Sequence, residues 1–435
     1  MSCIRWLGRL CLFIALAADA LADATRHRDP FIDVRAYGAR GDGVSDDTRS
    51  LNEALRAAAR DVGEVVVPAG TYVISEPLEI YGGTILRGAG RGATRIVSAA
   101  GGAGFSMLRV ATPNRCREGS GRCDAPIGDA ARGAGCVCYS GTDCASGTCG
   151  GGAVQRDLRI SDLELVVRDD DVVALDAALV GESTFSNLRI RADRDDLMRS
   201  IGVLFSDGGL DSTVSGYSNV LAFSRISGLP LCAWVMDRAN DQTFLRVGFG
   251  NECGTGLLIE KHVNGTKVTN CMFQSTREPR CTSGACVGGM SHGAPCAAAS
   301  DCIEADLVDL GRNTTVLASY FEDSRNPHIR LGTVQPSRAS QQPLVIGNSH
   351  SGRAPYIVEA NAQRPVIVET TYLTGRERTT LGGNPFVLPS LAHARLDAQP
   401  DGALVHCADC RKSHPCAPGG TGALAKRLNG QWVCD

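Results

Sequence analysis

Aromatic side chains are scarce in this sequence, and neither sign of charge is in excess. Phe, Trp and Tyr make up 5% of the 435 residues, and 44 basic against 47 acidic side chains give a formal net charge of −3. A chain without a basic surplus lacks the usual electrostatic footprint for nucleic acid, so we expect no nucleic-acid partner. The hydrophobic content of 43% in turn excludes an intrinsically disordered protein.

Apolar runs long enough to span a membrane, about 18 residues or more, are also missing. The shorter apolar run Leu10 to Ala18 follows Arg5 and Arg9, and the small residues in Ala20-Leu21-Ala22 suit a cleavage site. This order is typical of a secretory signal peptide. We therefore predict that residues 1–22 are removed and that the mature protein is secreted, to the periplasm, the cell surface or the medium, without a membrane span.

Cysteine, by contrast, is abundant, with 19 residues in the chain. Most of them fall in three segments rich in Gly, Ser and Ala, which run from Cys116 to Cys149, from Cys281 to Cys302 and from Cys407 to Cys434. Segments of this composition bury little apolar surface, so we interpret them as loops held by local disulfides, which a secreted protein can form. Zinc is the alternative for Cys407-x-x-Cys410 and the two cysteines that follow it.

The number of cysteines in the mature chain is odd. Cys3 and Cys11 lie in the signal peptide, which leaves 19 − 2 = 17. At least one thiol is therefore unpaired in a monomer. We assign it to Cys232, because this residue lies in the apolar run Leu231 to Val235, where a free cysteine can act as a small buried hydrophobe.

Between the Cys-rich segments the sequence repeats. Polar triplets ending in Thr precede short apolar runs at spacings of 29, 30, 23 and 49 residues, and a second apolar run follows in each unit. The triplets are Glu182-Ser183-Thr184, Asp211-Ser212-Thr213, Asp241-Gln242-Thr243, Asn264-Gly265-Thr266 and Asn313-Thr314-Thr315. The second runs are Ile201 to Phe205, Leu231 to Val235, Gly256 to Ile259 and Ile329 to Leu331. Units of this length made only of strands and turns predict an all-β solenoid.

A resemblance to a known family lies near the start of the mature chain. Asp33 to Thr48, which contains Gly41-Asp42-Gly43-Val44-Ser45-Asp46-Asp47-Thr48, runs into the helical pattern Leu51 to Ala59, and Val65 to Tyr72 and Ile85 to Gly90 follow. This order resembles the pectate-lyase-like superfamily, in particular its rhamnogalacturonase and epimerase-like pectate lyase group. The resemblance implies a right-handed parallel β-helix with a short capping helix, and an extended acidic polysaccharide as partner.

The N-terminal motif also has a physical interpretation. Ser45 or Asp46 can cap the helix, and Asp46 and Asp47 complement its dipole, so we interpret the motif as structural rather than catalytic. The sequence Gly88-Ala89-Gly90-Arg91-Gly92 lacks the ending of a phosphate-binding loop and is interpreted as a turn between strands.

The predicted organisation follows from the repeat, the Cys-rich segments and the family resemblance. The divisions are a signal peptide at 1–22, the cap and first coils at 23–110, a Cys-rich insertion at 111–154, coils at 155–278, a second insertion at 279–305, coils at 306–395 and a Cys-rich segment at 396–435.

Motifs for carbohydrate chemistry are incomplete. The polygalacturonase set of Asn-x-Asp, Asp-Asp, Gly-His-Gly and Arg-x-Lys is poorly matched, which disfavours that activity. Arg325-Asn326-Pro327-His328-Ile329-Arg330 matches the Arg-x-Pro-x-x-Arg pattern of pectate lyases, although their Trp-x-Asp-His element is missing. Because β-elimination needs a strong base, Arg325 and Arg330 are candidate catalytic residues.

A second candidate site comes from the repeat. Asp207, Asp237 and Glu260 each stand just past a second strand, so they would stack about 4.8 Å apart on neighbouring coils. Like charges so close repel unless a cation intervenes, and these three are candidate ligands for Ca²⁺. Asp237, Glu260 and the adjacent Lys261 are also candidate catalytic residues. The alternative is a solvated, salt-bridged face. A parallel row of Asp211, Asp241, Asn264 and Asn313 is interpreted as a structural turn ladder.

Two functions remain open at this point. One is a lyase-type or hydrolase-type protein that acts on an extended acidic polysaccharide. The other is a non-catalytic surface or adhesion protein that binds polysaccharide on the same scaffold. Neither the oligomeric state nor the presence of enzymatic activity follows from the sequence.

Overall fold

In the computed structural model, the described part of the chain consists of many short ranges. They are 31–61, 63–101, 104–110, 115–116, 149–150, 154–206, 216–236, 238–250, 253–274, 280–282, 284–287, 296–297, 305–324, 327–332, 340–352, 356–358, 362–368, 370–374, 377–381, 390–398 and 404–435.

Three long sheets, named A, B and C here, contain most of the strands. The chain visits them in this order in each coil from Glu64 to Val358, whereas the first coil has the helix Thr48–Asp61 in place of a strand of sheet C. Sheet A consists of Phe31–Asp33, Glu64–Val67, Ile85–Gly88, Arg159–Ser161, Thr184–Ser186, Val220–Ala222, Thr243–Leu245, Lys267–Thr269, Thr315–Leu317, Leu344–Ile346 and Val366–Val368. Sheet B consists of Asp42–Asp46, Gly70–Ile74, Thr94–Ser98, Glu164–Val167, Arg189–Ala192, Arg225–Ser227, Gly248–Gly250, Met272–Gln274, Tyr320–Ser324, Ser349–Gly352, Thr370–Thr374 and Glu377–Leu381. Sheet C consists of Leu78–Ile80, Ser106–Val110, Val173–Ala178, Ile201–Ser206, Leu231–Val235, Thr255–Ile259, Leu307–Asp309, Ile329–Leu331 and Tyr356–Val358.

Neighbouring strands within each sheet come from successive coils and pair in parallel, except for the antiparallel last strand of sheet B. The predicted all-β fold, a parallel β-helix, is confirmed. The second apolar runs of the repeat are strands of sheet C. The strands of sheet B add a third strand to each coil, which the repeat did not predict.

The repeating triplets are only partly in register. Thr184, Thr243 and Thr315 each begin a strand of sheet A, but Thr266 lies one residue before the strand Lys267–Thr269. Val220 occupies the ladder position between Thr184 and Thr243, and Thr213 lies outside the described residues. The residue two positions before the strand has a positive φ in each of these coils. It is the first triplet residue at Glu182, Asp241 and Asn313, but the second at Gly265.

The interior contains an aromatic stack of six of the chain's 11 phenylalanines. Phe185, Phe205, Phe244, Phe249, Phe273 and Phe321 follow one another with ring centroids 4.7 to 6.0 Å apart. All are fully buried. The stack continues into His350, whose ring centroid is 4.9 Å from that of Phe321.

The interior becomes polar in the later coils. The Nδ1 atoms of His328 and His350 lie 2.9 Å apart, and burial lowers the pKa of His328 to about 4 and that of His350 to about 3. Asp309 is also buried and accepts hydrogen bonds from Thr314 Oγ1 at 2.7 Å and from Ser340 Oγ. Burial raises the pKa of Asp309, because the interior disfavours its charge.

The first coil is covered by the α-helix Thr48–Asp61, which follows the 3₁₀ helix Val34–Tyr37; a second 3₁₀ helix is His393–Ala398. Asp46 accepts a hydrogen bond from Thr48 N at 2.9 Å and so satisfies the N–H of the first helical residue, while Asp47, whose carbonyl accepts from Leu51 N at 3.0 Å, stands at the N-cap position. Asp47 is 2% exposed and accepts from Arg40 N at 2.7 Å and Gly41 N at 3.0 Å, so its role is structural through the preceding loop.

Four disulfides join described cysteines. The pairs are Cys232–Cys253, Cys281–Cys296, Cys407–Cys410 and Cys416–Cys434. The last three confirm local disulfides in the second and third Cys-rich segments. The assignment of the free thiol was wrong, because Cys232 pairs with a cysteine of the next coil, with Cα atoms 5.8 Å apart. Among the described cysteines, the free and buried one is Cys271.

The first Cys-rich segment lies mostly outside the described residues. Its described residues, Arg115–Cys116 and Cys149–Gly150, pair as short antiparallel strands. The zinc alternative in the third segment is not supported, because disulfides occupy all four of its sulfur atoms. The predicted segment boundaries stay predictions.

The C-terminal residues form a small sheet with its own apolar core. Its strands are Ser390–Leu391, Leu404–Cys407, Ala423–Leu428 and Gln431–Cys434. Its core includes Leu396, Val405 and Trp432. Three further pairs of short strands are Gln155–Arg156 with Val180–Gly181, Arg280–Thr282 with Ala285–Val287, and Cys410–Arg411 with Ala417–Pro418. No helix in the described ranges has the length and apolarity to cross a membrane.

Candidate functional site

The carboxylate row predicted beyond sheet C is not in the expected register. Val235 pairs with Ile259, and Ile259 pairs with Asp309, so Glu260 is aligned with the residues that follow Val235 and Asp309. These are Met236 and Leu310, neither of which ligates Ca²⁺. Asp207 and Asp237 lie outside the described residues. The calcium site therefore stays a prediction, and the described residues around Glu260 do not support it.

The turn that contains Glu260 and Lys261 is rich in cations. Burial lowers the pKa of His262, and the positive charges of Lys261, Arg312 and Arg238 lower it further, against the opposing effect of Glu260. Three cations against one carboxylate make a poor cation site. This turn fits the solvated, salt-bridged alternative better.

The row interpreted as a turn ladder does make structural contacts. Asp241 accepts hydrogen bonds from Lys267 Nζ and, at 2.9 Å, from Ser218 Oγ. Burial opposes ionisation of Asp241, but these two hydrogen bonds outweigh it and lower its pKa. Asn313 Nδ2 donates to Asn264 Oδ1 at 2.8 Å. Asp211 lies outside the described residues.

Arg330 lies in a strand of sheet C. Its neighbours in the strand, Ile329 and Leu331, are fully buried, and Arg330 alternates with them at a half-buried position between Val308 and Ile357. Arg325 lies outside the described residues. The two arginines of the lyase-like pattern are therefore not shown to share a site, and their catalytic role stays a prediction.

One group of described residues has the geometry to hold a metal ion, namely Cys407, Asp409 and Cys410. The two cysteines are bonded to each other, so neither offers a thiolate. This group cannot act as a metal centre while the disulfide is intact.

A site that the sequence did not reveal lies on the outward face of sheet B. Arg95, Glu164, Arg189 and Arg225 occupy one register position on four successive strands, and Arg191 lies beside them. We call these five residues the arginine face. The residue that follows each member of the row is apolar and fully buried, in the order Ile96, Leu165, Ile190 and Ile226. Alternation of this kind places one residue in the core and the next one outside.

Glu164 is the centre of the arginine face. Its side chain is only 2% exposed, because Arg191 Nε donates to it at 2.7 Å and the guanidinium nitrogens of Arg95 and Arg189 lie 3.6 and 3.9 Å away. The arginines themselves remain accessible, with 42% of the Arg95 side chain and 50% of the Arg189 side chain exposed. Three guanidinium groups thus face a single carboxylate.

The edge of the same face is held by a second network. Asp193 accepts hydrogen bonds from Arg191 Nη1 at 3.0 Å and from Arg168 Nε at 3.2 Å. These two hydrogen bonds, against some burial, lower the pKa of Asp193. With Arg168 and Asp193 included, positive charges still outnumber negative ones on the arginine face. This suits an anionic ligand, because a guanidinium binds a carboxylate or sulfate group with two parallel hydrogen bonds.

The sequence does contain a signal for this site. The dipeptide Arg-Ile occurs at Arg95, Arg189 and Arg225, at the same register position of sheet B. Each copy places an arginine outside and an isoleucine inside. The signal is short, and Arg159-Ile160 in sheet A repeats it on another face.

Comparison with known families finds a match at the start of the chain. Residues 31–121 match the family described as rhamnogalacturonase A/epimerase, pectate lyase-like. This part of the chain is pectate-lyase-like. The match begins at the first strand of sheet A and includes the capping helix, and it confirms the resemblance that the N-terminal motif predicted.

Curated relatives share a short stretch with this chain. A stretch of 57 residues is 47% identical to the non-secreted LysM effector LysM19 of Penicillium expansum and covers 13% of this chain and 4% of that protein. Another of 60 residues is 38% identical to the pre-neck appendage protein of Bacillus phage phi29 and covers 14% of this chain and 7% of that protein. The chain thus spans less than a tenth of the length of these relatives.

Solved structures show distant likenesses over most of the chain. The A-module of the mannuronan C-5 epimerase AlgE4 of Azotobacter vinelandii is 16% identical, with 78% of this chain and 99% of that chain covered and a TM-score of 0.33. The catalytic unit of a GH87 α-1,3-glucanase of Streptomyces thermodiastaticus is 14% identical, with 80% and 54% covered and a TM-score of 0.43. The surface adhesin PfbA of Streptococcus pneumoniae is 12% identical, with 79% and 90% covered and a TM-score of 0.36. At these values none of them carries an argument about function.

Proposed function

We propose that this protein is a secreted β-helix protein that binds an extended acidic polysaccharide on the outward face of sheet B. The observation that carries the proposal is the arginine face, where Arg95, Arg189 and Arg225 share one register position. Successive strands are about 4.8 Å apart, so these side chains present an ordered row of guanidinium groups. An extended chain with repeated carboxylate or sulfate groups can contact several of them at once.

Two further features support the proposal. The structure contains disulfides, which persist in secreted proteins and are rare in reducing compartments. The pectate-lyase-like match of residues 31–121 makes carbohydrate the favoured class of ligand. The candidate catalytic residues do not converge within the described ranges, so we propose binding as the function and treat cleavage and Ca²⁺ dependence as questions for the same assay.

A binding assay tests the proposal. The purified mature protein is titrated with polygalacturonate, alginate and chondroitin sulfate, and with fully methyl-esterified polygalacturonate as the uncharged counterpart. We expect binding of at least one of the charged polymers that weakens as the salt concentration rises, because salt screens exposed charges. Binding that is independent of salt, or no binding of any charged polymer, would contradict the proposal.

Variants locate the site. The double variant Arg189→Gln, Arg225→Gln should bind the charged polymer at least about tenfold more weakly, because it removes two guanidinium contacts. Arg49→Gln, on the exposed side of the capping helix where Arg49 is paired with Glu53, is the matched control and should bind as the parent does. Equal affinity of the double variant and the parent would place the ligand elsewhere.

Turnover is measured in the same samples. β-Elimination produces an unsaturated sugar end, whereas hydrolysis produces only a new reducing end, so absorbance and reducing-end assays distinguish the two reactions. Each is run with and without Ca²⁺. Cleavage would extend the proposal to an enzyme, and binding without cleavage corresponds to the adhesion function.

A further inference from the structure

The corner between sheets A and B carries a row of residues with positive φ. Asp162, Asn187 and Asn270 occupy it in three coils, with φ of 61°, 51° and 51°. Asp and Asn are the side chains that tolerate this conformation best after glycine. Asn187 Nδ2 also donates to Asp162 Oδ1 at 2.5 Å, which links two coils along the corner. Short polar residues suit this position best, although Arg246 and Ala318 occupy it in two other coils, with φ of 53° and 49°.

Phe223 is the aromatic residue of this row. Its φ is 52°, a conformation in which the Cβ of a bulky residue meets the neighbouring carbonyl oxygen. Its side chain is 50% exposed, so burial in the core does not explain a phenylalanine here. Asparagine would fit the backbone better, as it does one coil before. A bulky residue kept in an unfavourable conformation at an exposed position points to a role outside the fold.

Charged groups surround Phe223. The Cζ atom of Arg246, the next residue of the row, lies 5.7 Å from the centroid of the Phe223 ring, and this holds the ring in a cation–π contact. Arg91, in the turn between the strands Ile85–Gly88 and Thr94–Ser98, donates to Phe223 O at 3.4 Å. Two residues after Phe223 the chain enters sheet B at Arg225, so the ring borders the arginine face.

We propose that Phe223, oriented by Arg246, is a stacking platform for a sugar ring of the acidic polysaccharide. This inference rests on the proposed function. The apolar C–H face of a pyranose packs on an aromatic ring, which has a negative face. The acidic substituents of that sugar and its neighbours then lie within the positive field of the arginine face. Phe223 supplies apolar contact and the arginines supply charge, so the two contributions can be separated.

Replacing Phe223 by Asn is the first test. Phe223→Asn restores the residue type found at Asn187 and Asn270, so the melting temperature should stay the same or rise. Affinity for the charged polymer should fall at least about tenfold. It should fall equally for the methyl-esterified polymer if that binds, because stacking does not depend on charge. Leu317→Asn, which removes another exposed apolar side chain in sheet A, is the control and should change neither quantity.

Replacing Phe223 by Trp is the second test and does not depend on the first variant folding. Phe223→Trp keeps an aromatic face, so affinity should stay within about threefold of the parent or improve. Its fluorescence should change and saturate on addition of the polymer. A Phe223→Trp protein that binds the polymer with no change at this tryptophan contradicts the inference.

The outcomes separate the two proposals. If the Arg189→Gln, Arg225→Gln variant loses binding and Phe223→Asn binds like the parent, the stacking platform is wrong and the proposed function stands. If the parent binds none of the three acidic polymers, both fall. If Phe223→Asn weakens binding only in proportion to a lowered melting temperature, and Phe223→Trp shows no fluorescence change, Phe223 has a structural role alone.

Discussion

The outward faces of sheets B and C differ sharply, although their strands stack in the same coils. On sheet B, Arg95 and Arg189 have about half of their side chains exposed. On sheet C, the outward residues Ile201, Leu204 and Leu258 are 1 to 3% exposed and belong to an apolar cluster separate from the main core. One face is therefore open to a large ligand, and the other is already covered.

The difference explains why the candidate residues predicted from the sequence lie at sheet C and not on sheet B. A strand that is buried on both sides reads as a continuous apolar run, as in Ile201 to Phe205, and such runs are the strongest signals in this chain. Candidate residues were therefore placed at the ends of sheet C strands. A strand with one exposed side gives only an alternation of apolar and polar residues. In sheet B strands such as Arg225–Ser227 and Gly248–Gly250 are three residues long, too short for this alternation to be recognised in the sequence.

The largest expected effect concerns the covered face. Leu258→Ala should lower the free energy of unfolding by about 2–5 kcal/mol, because it removes a buried side chain and leaves a cavity. Leu428→Ala, at a position that is 52% exposed, is the control and should have little effect. Urea titrations measure both. A Leu258→Ala protein as stable as the parent would mean that sheet C is open to ligands after all.

The second prediction concerns the interior beneath both faces. Because the folded protein depresses the pKa of His328 to about 4 and of His350 to about 3, the unfolded chain binds more protons once the pH falls below about 6.5. The free energy of unfolding should therefore decrease as the pH falls from 6.5 to about 4. Each unit of depression corresponds to about 1.4 kcal/mol, so the loss is of the order of a few kcal/mol.

A variant isolates this effect from the titration of carboxylates. The double variant His328→Phe, His350→Phe extends the phenylalanine stack and removes both imidazoles, so its stability should change less between pH 6.5 and 4 than that of the parent. The surface substitution His406→Gln is the control. Equal pH slopes of parent and double variant would show that the histidine pair does not control acid sensitivity.

The third prediction concerns the centre of the arginine face. Glu164→Gln leaves three guanidinium groups with a weaker acceptor and should lower stability by about 1–3 kcal/mol. The same change adds one positive charge to the face, so affinity for a charged polymer at low salt should rise. Glu64→Gln, which disturbs the single pair with Arg87 on sheet A, should lower stability less and leave affinity unchanged. Weaker binding by Glu164→Gln would mean that the carboxylate contacts the ligand.

Much of the fold could be predicted because its rules are local and repeat. The capping motif around Asp46 and the sheet C runs depend on short-range patterns. The register could not be obtained in this way, because coil length varies. Val220 takes the place expected for Thr213, and Glu260 lies beside Met236. A shift of one residue moves a side chain to the other face of a strand, so sites inferred from equal spacing fail more easily than the fold itself.

Pairing across coils was also beyond the sequence. Cys232 looked like a buried free thiol because its own strand is apolar, yet its partner Cys253 lies 21 residues away on the next coil. The arginine face also depends on pairing between coils. Arg95, Arg189 and Arg225 are far apart in sequence, and only the pairing of their strands brings them into one row.

The smallest expected effect returns to the turn after sheet C. Lys261 is exposed and Glu260 is aligned with Met236 and Leu310, so Lys261→Gln and Glu260→Gln should each change stability by no more than about 0.5 kcal/mol. Polymer affinity should be the same with and without Ca²⁺ in both variants. Isothermal titration of the two variants and the parent measures this directly. If Glu260→Gln abolished a Ca²⁺-dependent part of the binding, the carboxylate site at the end of sheet C would be restored, and the open arginine face would at most share the ligand with it.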